Sequence, residues 1–406
     1  MAALDAMTIR LHLRAMRVLE VVEDLPERLV VAVVAISSVI RCGDCGFKTK
    51  RVHATRKVKV ADLPVSGRPV MLVWHRRRFR CGNCGTTTTE GNPFIVERMT
   101  QRLARAVVRD VRDMTVLAVA RRYGLSWHRV MGLVAAEGRL LARHRRRRPC
   151  RVLLVDEKSM TKGQGQYSTI LVDGDRGRVV AVLEGRSADV LGGFLARQSP
   201  AWRKGVSVVV TDMAECYRTA VRKHLPNARH VADRFHVVRN FAKVLVSARR
   251  DAQRTPRGRP HDPKVFRNRF LLMKRLDRLS GEEMATLGSL FDAHPELGVV
   301  WGLVQRFHVI FCAETEEAAN EAVAQLADAY QAAGINLGSA ITSFCRWGPE
   351  SLNFHAAGRA TNAASEGVNG KIEVLERMAY GFRSRANYVA RVLLVCSGHP
   401  PALSPT

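Results

Sequence analysis

Two short motifs, Cys42-Gly-Asp-Cys45-Gly and Cys81-Gly-Asn-Cys84-Gly, restrict what this chain can fold into more than any other stretch. In each, a pair of thiols in CxxC spacing can turn toward one tetrahedral Zn²⁺, and the following glycine permits the tight turn beneath the metal. Between the motifs lie basic, strand-like stretches, Lys48 to Val60 and Val70 to Arg80. The first module, residues 1–97, therefore reads as a zinc ribbon with a long insert between its knuckles. A redox role is the weaker reading, because thioredoxin-type sites use one CxxC in a βαβ setting, not two matched ones. Nine cysteines, four of them in these pairs, suit a reducing cytosol and a metal site better than a disulfide scaffold. The expected location is the cytoplasm. No secretory signal is visible at the start, and the apolar run Leu29 to Ile40 is far shorter than the ~20 residues that span a bilayer, so it reads as a buried strand.

The 406 residues allow two to three domains, and 47% hydrophobic content is enough for a sizeable core. Lys+Arg 65 against Asp+Glu 37 leaves a net charge of +28. Because the excess runs along most of the chain rather than sitting in a tail, the expected partner is nucleic acid rather than a membrane surface. The run His75-Arg76-Arg77-Arg78-Phe79-Arg80 beside the second knuckle would line DNA phosphates, although charge runs are usually solvated faces.

From Arg98 to Ala142 the apolar spacing becomes helical, with Leu103, Val107, Val111 and Met114 on one face. Small Ala120, Gly124 four residues on and apolar Val130 six beyond that resemble a helix-turn-helix, with a plain helical hairpin as the bland alternative. Ser126 is the expected N-cap of the second helix, whose Trp127, His128 and Arg129 would face the groove. The stretch Arg143 to Pro149 reads as a basic linker closing this module, residues 98–149.

Residues 150–236 carry an α/β pattern. Arg151-Val-Leu-Leu-Val-Asp156 and Val206-Ser-Val-Val-Val-Thr-Asp212 are short β-branched runs that each end on an aspartate, so two parallel strands would bring two carboxylates to one sheet edge. Hard oxygen ligands there suit Mg²⁺ or Mn²⁺, while either aspartate alone could simply start a turn. Tyr167 to Val172 and Arg178 to Leu183 read as strands two and three, Ser187 to Gln198 as a helix, Met213 to His224 as a helix, and Ala228 to Ala232 as a fifth strand before Asp233. Three strands in a meander followed by alternating helices and strands is the order of a ribonuclease H-like fold, which normally takes another carboxylate from a later helix.

Residues 237–354 read as a helical insertion, with helices at Val237 to Arg250, Lys264 to Leu279, Glu282 to Ala293 and Ala313 to Ala333, a polar basic loop at Thr255 to Pro263, and Trp301, Phe307 and Phe311 as core. Residues 355–406 return to the core. There Asn362, Glu366, Asn369 and Glu373 form one polar stripe on the helix Thr361 to Arg377. A solvated face is the plain alternative; a ribonuclease H-like site favours Glu366 as the third acid, with Asp233 and Glu373 as rivals.

The order of knuckles, helix-turn-helix, Val155-Asp156-Glu157, Lys162-Gly, Thr211-Asp212-Met213, Asp233-Arg-Phe-His236, Ser365-Glu366-Gly-Val-Asn369-Gly-Lys371 and Tyr380-Gly-Phe-Arg383 resembles the transposases of the ISL-three insertion-sequence family. The resemblance implies a DDE transposase with catalytic acids Asp156, Asp212 and Glu366, zinc on Cys42, Cys45, Cys81 and Cys84, and a homo-oligomer holding element ends and target as double-stranded DNA. Lys371, Arg383, Arg385 and His236 are candidates for phosphate contact or support of the acids. The other readings are a catalytically inactive DNA-binding regulator derived from such an enzyme and a nuclease on the same fold. The text stops soon after Cys396 on a polar tail, Ser397 to Thr406, and a longer C-terminal helix is expected to be missing.

Overall fold

The computed structural model describes Met7 and residues 11–13, 15–159, 167–253 and 262–398; of residues 145–147 it describes the backbone alone. Lys162, residues 255–261 of the basic loop and the end of the C-terminal tail lie outside these. No helix among the described residues is long and apolar enough to cross a membrane. The chain forms two compact units, Met1–Leu141 with Val374–Thr406, and Ala142–Glu373.

In the first unit, β1 (Met16–Leu25), β2 (Arg28–Ala35), β3 (Ile40–Arg41), β4 (Lys48–Thr49), β5 (Val52–Val65), β6 (Arg68–Arg80), β7 (Thr87–Thr89), β8 (Ile95–Val96) and β9 (Met99–Thr100) follow in order. One sheet runs β1-β2-β6-β5-β9-β8, with β7 paired to β6. The β5–β6 hairpin turns on Ser66 and Gly67, both at positive φ, the backbone of a two-residue turn whose twist matches the strands. Alternate residues Leu29, Val31, Val33, Val70, Leu72 and Trp74 close its core. The run from Leu29 is a strand as expected, ending at Ala35. β1 was not foreseen, because its text mixes Arg17, Glu20, Glu23 and Asp24 into the apolar residues.

Helices follow at Gln101–Asp110, Val116–Arg122 and Trp127–Arg147. Leu103, Val107 and Val111 are fully buried on one face. Arginines are good helix formers and Pro149 is the first residue that cannot continue, so the stretch read as a basic linker is helical through Arg147. The final helix, Arg385–Cys396, belongs to this unit: buried Arg391 donates to the carbonyls of Val111 and Met114. The sequence reading had grouped it with the acid-bearing core.

The second unit holds β10 (Val152–Ser159), β11 (Tyr167–Asp173), β12 (Arg178–Glu184), β13 (Val208–Thr211) and β14 (Arg229–Ala232) in the order β12-β11-β10-β13-β14. β10, β13 and β14 are parallel, and β11 and β12 antiparallel. Val152 to Val155 and Val208 to Thr211 are buried without alternation, so both faces of the sheet are covered. One face packs on Leu191, Phe194, Trp202, Tyr217 and Val221.

The remaining helices include Arg234–Gln253, Gly281–Ala293, Pro295–Cys312, Glu316–Ala333, Ser339–Arg346 and Gly348–Ala356. Phe241 stacks on Phe307 at 3.6 Å, and Trp301, Phe307 and Phe311 are core as expected. Lys264 to Leu279 is not one helix. It breaks after Pro263–Arg267, and the Gln305 side chain takes up the Leu276 N–H and the Lys274 carbonyl. The returning helix is Ala363–Met378.

Candidate active site and metal centre

The two knuckles are built alike. Cys42 N–H donates to the Phe47 carbonyl (2.8 Å) and Gly46 N–H to the Cys42 carbonyl (3.1 Å); Cys81 and Gly85 repeat the pattern with Thr86 and Cys81 at 2.8 and 3.2 Å. Gly46 and Gly85 both sit at φ +72°, where a side chain would be strained. The four sulfurs lie within 4.8 Å of one another, with Cys42–Cys84 at 3.6 Å and Cys45–Cys81 at 3.5 Å. Tetrahedral Zn–S bonds of ~2.3 Å would put sulfurs about 3.8 Å apart, so the set fits zinc. The Thr86 hydroxyl, 3.4 Å from Cys42, is the main reason that thiol falls to about 5, while Cys45, packed against the sulfurs of Cys84 and Cys81, is pushed up to about 11, so the sulfurs share protons among themselves. Thr86 escaped the sequence reading; it lies two residues after Cys84.

The carboxylates come together by register. Val155 pairs with Thr211, and Thr211 with Ala232, so Asp156, Asp212 and Asp233 each follow the same level on three adjacent parallel strands. Asp156 lies inside β10 rather than ending it, because β10 runs on to Ser159 against β11. Its Oδ2 accepts from Asn369 Nδ2 (2.8 Å) and Ser365 Oγ (3.3 Å), one turn apart on the returning helix. Asp233, 2% exposed, accepts from His236 Nδ1 (2.9 Å) and from the Asn362 backbone N–H (3.3 Å), which fixes the start of that helix. Ser365 was missed, although its place four residues before Asn369 was a usable signal.

Asp212 differs. Its Oδ1 is buried with no hydrogen-bond partner. Burial first, then the charge of Glu157, push its pKa up to about 6; burial raises Asp156 as well. His236 moves upward mainly through its bond to Asp233. A buried carboxylate oxygen without a donor, beside other acids, is a deficit that a divalent cation would fill, so these residues fit one.

Glu366 is exposed and lines a cavity together with Asp233. Among the described residues, only the four cysteines bring three or more such ligand atoms within 4.8 Å of one another; Asp156, Asp212 and Glu366 are not all drawn that close together. The rival Glu373 is engaged elsewhere, on Lys158 at 3.1 Å. Of the expected stripe, Asn362, Asn369 and Glu373 do meet residues of the acid-bearing strands or their ends.

The helix-turn-helix geometry is present. Gly124 adopts φ +61°, Leu125 N–H donates to the Ala120 carbonyl (2.9 Å), and Ser126 Oγ accepts from Arg129 N–H (3.3 Å) as an N-cap. Trp127 is 40% exposed and His128 is exposed, whereas the Arg129 guanidinium donates to the carbonyls of Glu97 and Arg98. Arg77 forks onto Glu90 and also donates to the carbonyls of Ala35 and Ser37. It and Arg129 therefore hold local structure. Arg76 donates to the Glu90 carbonyl, and Arg78, Lys371 and Arg383 are exposed.

The chain combines a helix-turn-helix with buried aspartates aligned on parallel strands, and known proteins name the class. Residues 153–392 match the family model for the ISL3 DDE domain, described as a transposase. Residues 38–84 match the zinc-finger of transposase IS204/IS1001/IS1096/IS1165, and 97–136 the helix-turn-helix domain of transposase family ISL3. The chain belongs to this family and is a DDE transposase, an enzyme of DNA transposition. It is 26% identical over 367 residues to the transposase for insertion sequence element IS1001 of Bordetella parapertussis, covering 89% of this chain and 90% of the relative. The transposase for IS1557 of Mycobacterium tuberculosis (strain CDC 1551 / Oshkosh) is 27% identical over 271 residues, 61% of each chain.

Proposed function

We propose that this transposase binds the terminal repeats of its insertion sequence and cuts and joins DNA strands on Mg²⁺, or Mn²⁺, held by Asp156, Asp212 and Glu366 in a ribonuclease H-like core. The observation that carries this reading is the common register level of Asp156 and Asp212 on adjacent parallel strands, with Asp212 Oδ1 left without a donor. The strand order β12-β11-β10-β13-β14 supports the fold assignment. When bound, divalent cations at such a site stabilise negative charge on the attacking and leaving oxygens of a phosphodiester.

The chain's own groups prepare the site. Ser365 and Asn369 orient Asp156, and Asp233 with His236 anchors the start of the helix that carries Glu366. Residues 1–97 and 98–149 serve recognition: Arg76, Arg78, Trp127 and His128 face the duplex, while Arg77 and Arg129 hold the surfaces that present them. Residues 150–236 and the returning helix Ala363–Met378, with 237–354 between them, serve the chemistry, and Lys371 and Arg383 contact phosphates. Two element ends must be held together, so the working form is a homo-oligomer on cytoplasmic DNA. Zinc on the four cysteines is structural.

The test is cleavage of a labelled duplex carrying the element's own end in Mg²⁺, comparing wild type with Asp156→Asn and Asp212→Asn. Both variants should bind the end and leave it uncut. A wild type that binds the end and never cuts would favour the catalytically inactive regulator.

A further inference from the structure

Beside Glu366 and Asp233 lies a cavity of about 340 Å³ whose wall includes Arg234, Phe235, Arg275, His308 and Thr361. It adjoins the acid site through Asp233 and Glu366, and the rest of its wall has no part in holding a cation. Its volume is near the lower end of the ~300–1,000 Å³ typical of small-ligand pockets, too small for a duplex whose major groove alone is about 12 Å wide. Phe235 directly follows the Asp233-Arg234 pair and leaves 56% of its surface exposed, its ring meeting His236 edge-on at 5.8 Å. Scattered exposed aromatics are ordinary; this one stands on a cavity wall that also carries Glu366.

The polar part of the wall is mixed: the guanidinium groups of Arg234 and Arg275 stand with the carboxylates of Asp233 and Glu366. Arg234 lies over the Phe354 ring at 5.6 Å, and Arg275 is braced by Asp277 (Nε–Oδ1 2.9 Å). Burial lowers the pKa of His308, keeping it neutral near pH 7 and able to share a hydrogen bond with a base edge. An exposed ring beside guanidinium groups is the combination by which proteins hold unpaired nucleotides, the base stacking on the ring and the phosphate meeting the cation. A second space of about 680 Å³ shares Arg275, His308 and Cys312 with the first, so the two adjoin.

We propose that this cavity holds one unpaired nucleotide of the strand being processed, its base on Phe235 and its phosphate against Arg234, next to the carboxylate of Glu366. The inference rests on the strand-cutting role proposed above. It assigns Phe235 and Arg234 to substrate positioning and leaves duplex recognition to the N-terminal modules.

The test uses the full chain in Mg²⁺-free buffer and two probes: a blunt duplex, and the same duplex with a three-nucleotide 3′ overhang containing 2-aminopurine. Wild type should quench the overhang's fluorescence and bind that probe more tightly than the blunt one. Phe235→Ala should lose the quench and about tenfold of overhang affinity while holding the blunt duplex as before, Phe235→Trp should restore both, and Arg234→Ala should weaken the overhang probe alone. Wild-type affinity and quenching in Phe235→Ala would overturn the assignment. Overhang preference that depends on Phe235 in a wild type that never nicks DNA in Mg²⁺ would support the cavity's role and sink the strand-cutting one.

Discussion

The four-sulfur centre and the carboxylate centre are assembled over opposite ranges of chain. Each half of the sulfur centre is a five-residue knuckle shaped by its own backbone hydrogen bonds and a left-handed glycine, and one hairpin brings the halves together. The carboxylate centre draws Asp156, Asp212 and Asp233 from three strands, and its supports Ser365 and Asn369 from a helix more than a hundred residues further on. Locally shaped sites can be read from spacing. A site made by register and a returning helix can be read only once the fold is known.

The largest effect expected from this contrast is on the sulfur side. Structural zinc contributes of order 10 kcal/mol to folding small modules, so Cys84→Ser should lose stoichiometric zinc, unfold the ribbon and abolish end binding. Metal content and a band-shift assay check it, and a variant that keeps zinc and binding would show that the knuckles matter little.

Acid should strike the carboxylate side next. His230, 7% exposed, bonds Thr211 beside Asp212 (Nε2–Oγ1 2.9 Å), and burial lowers its pKa to about 4. The folded form resists the proton that the unfolded chain accepts near 6.5, so its contribution is complete above that pH and is lost as pH falls toward 4. The shift corresponds to about 3 kcal/mol. Asp212, held up to about 6, gains stability over the same range, so the check is a difference: from pH 7 to 5 the denaturant midpoint of His230→Asn should rise relative to wild type, and a constant difference would remove His230 from the explanation.

The smallest effect is Gly85→Ala. Placing a Cβ at φ +72° should cost about 1 kcal/mol, roughly fivefold in zinc affinity by competition with a chelator, with DNA cleavage at saturating zinc unchanged.

The same contrast explains what was legible in the sequence. Buried strands without alternation, bounded by Asp173, Gly174, Gly177 and the aspartates, were readable from β-branched runs, and so was their order. The Cys42 and Cys81 knuckles were readable from spacing. Charge was the poor guide: Arg77 and Arg129 sit in arginine-rich text yet spend their guanidinium groups on Glu90 and on backbone carbonyls. Lys264 to Leu279 has helical spacing, but Gln305, distant in sequence, captures its backbone polar groups. Sequence favours Glu366 over its rival Asp233 only through the expected helix; Asp233 bonds His236 and the Asn362 N–H.

The most direct test of the long-range account sets Glu366→Gln beside Asp233→Asn, measuring Mg²⁺-dependent nicking of the element end and melting temperature on the same preparations. If the returning helix supplies the third carboxylate, Glu366→Gln melts like wild type and nicks at least a thousandfold more slowly, by roughly the ~4 kcal/mol that such a rate loss represents. Asp233→Asn then melts several degrees lower and keeps measurable nicking. Wild-type nicking by Glu366→Gln, with none by a well-folded Asp233→Asn, would contradict the account and move the third acid to the end of β14.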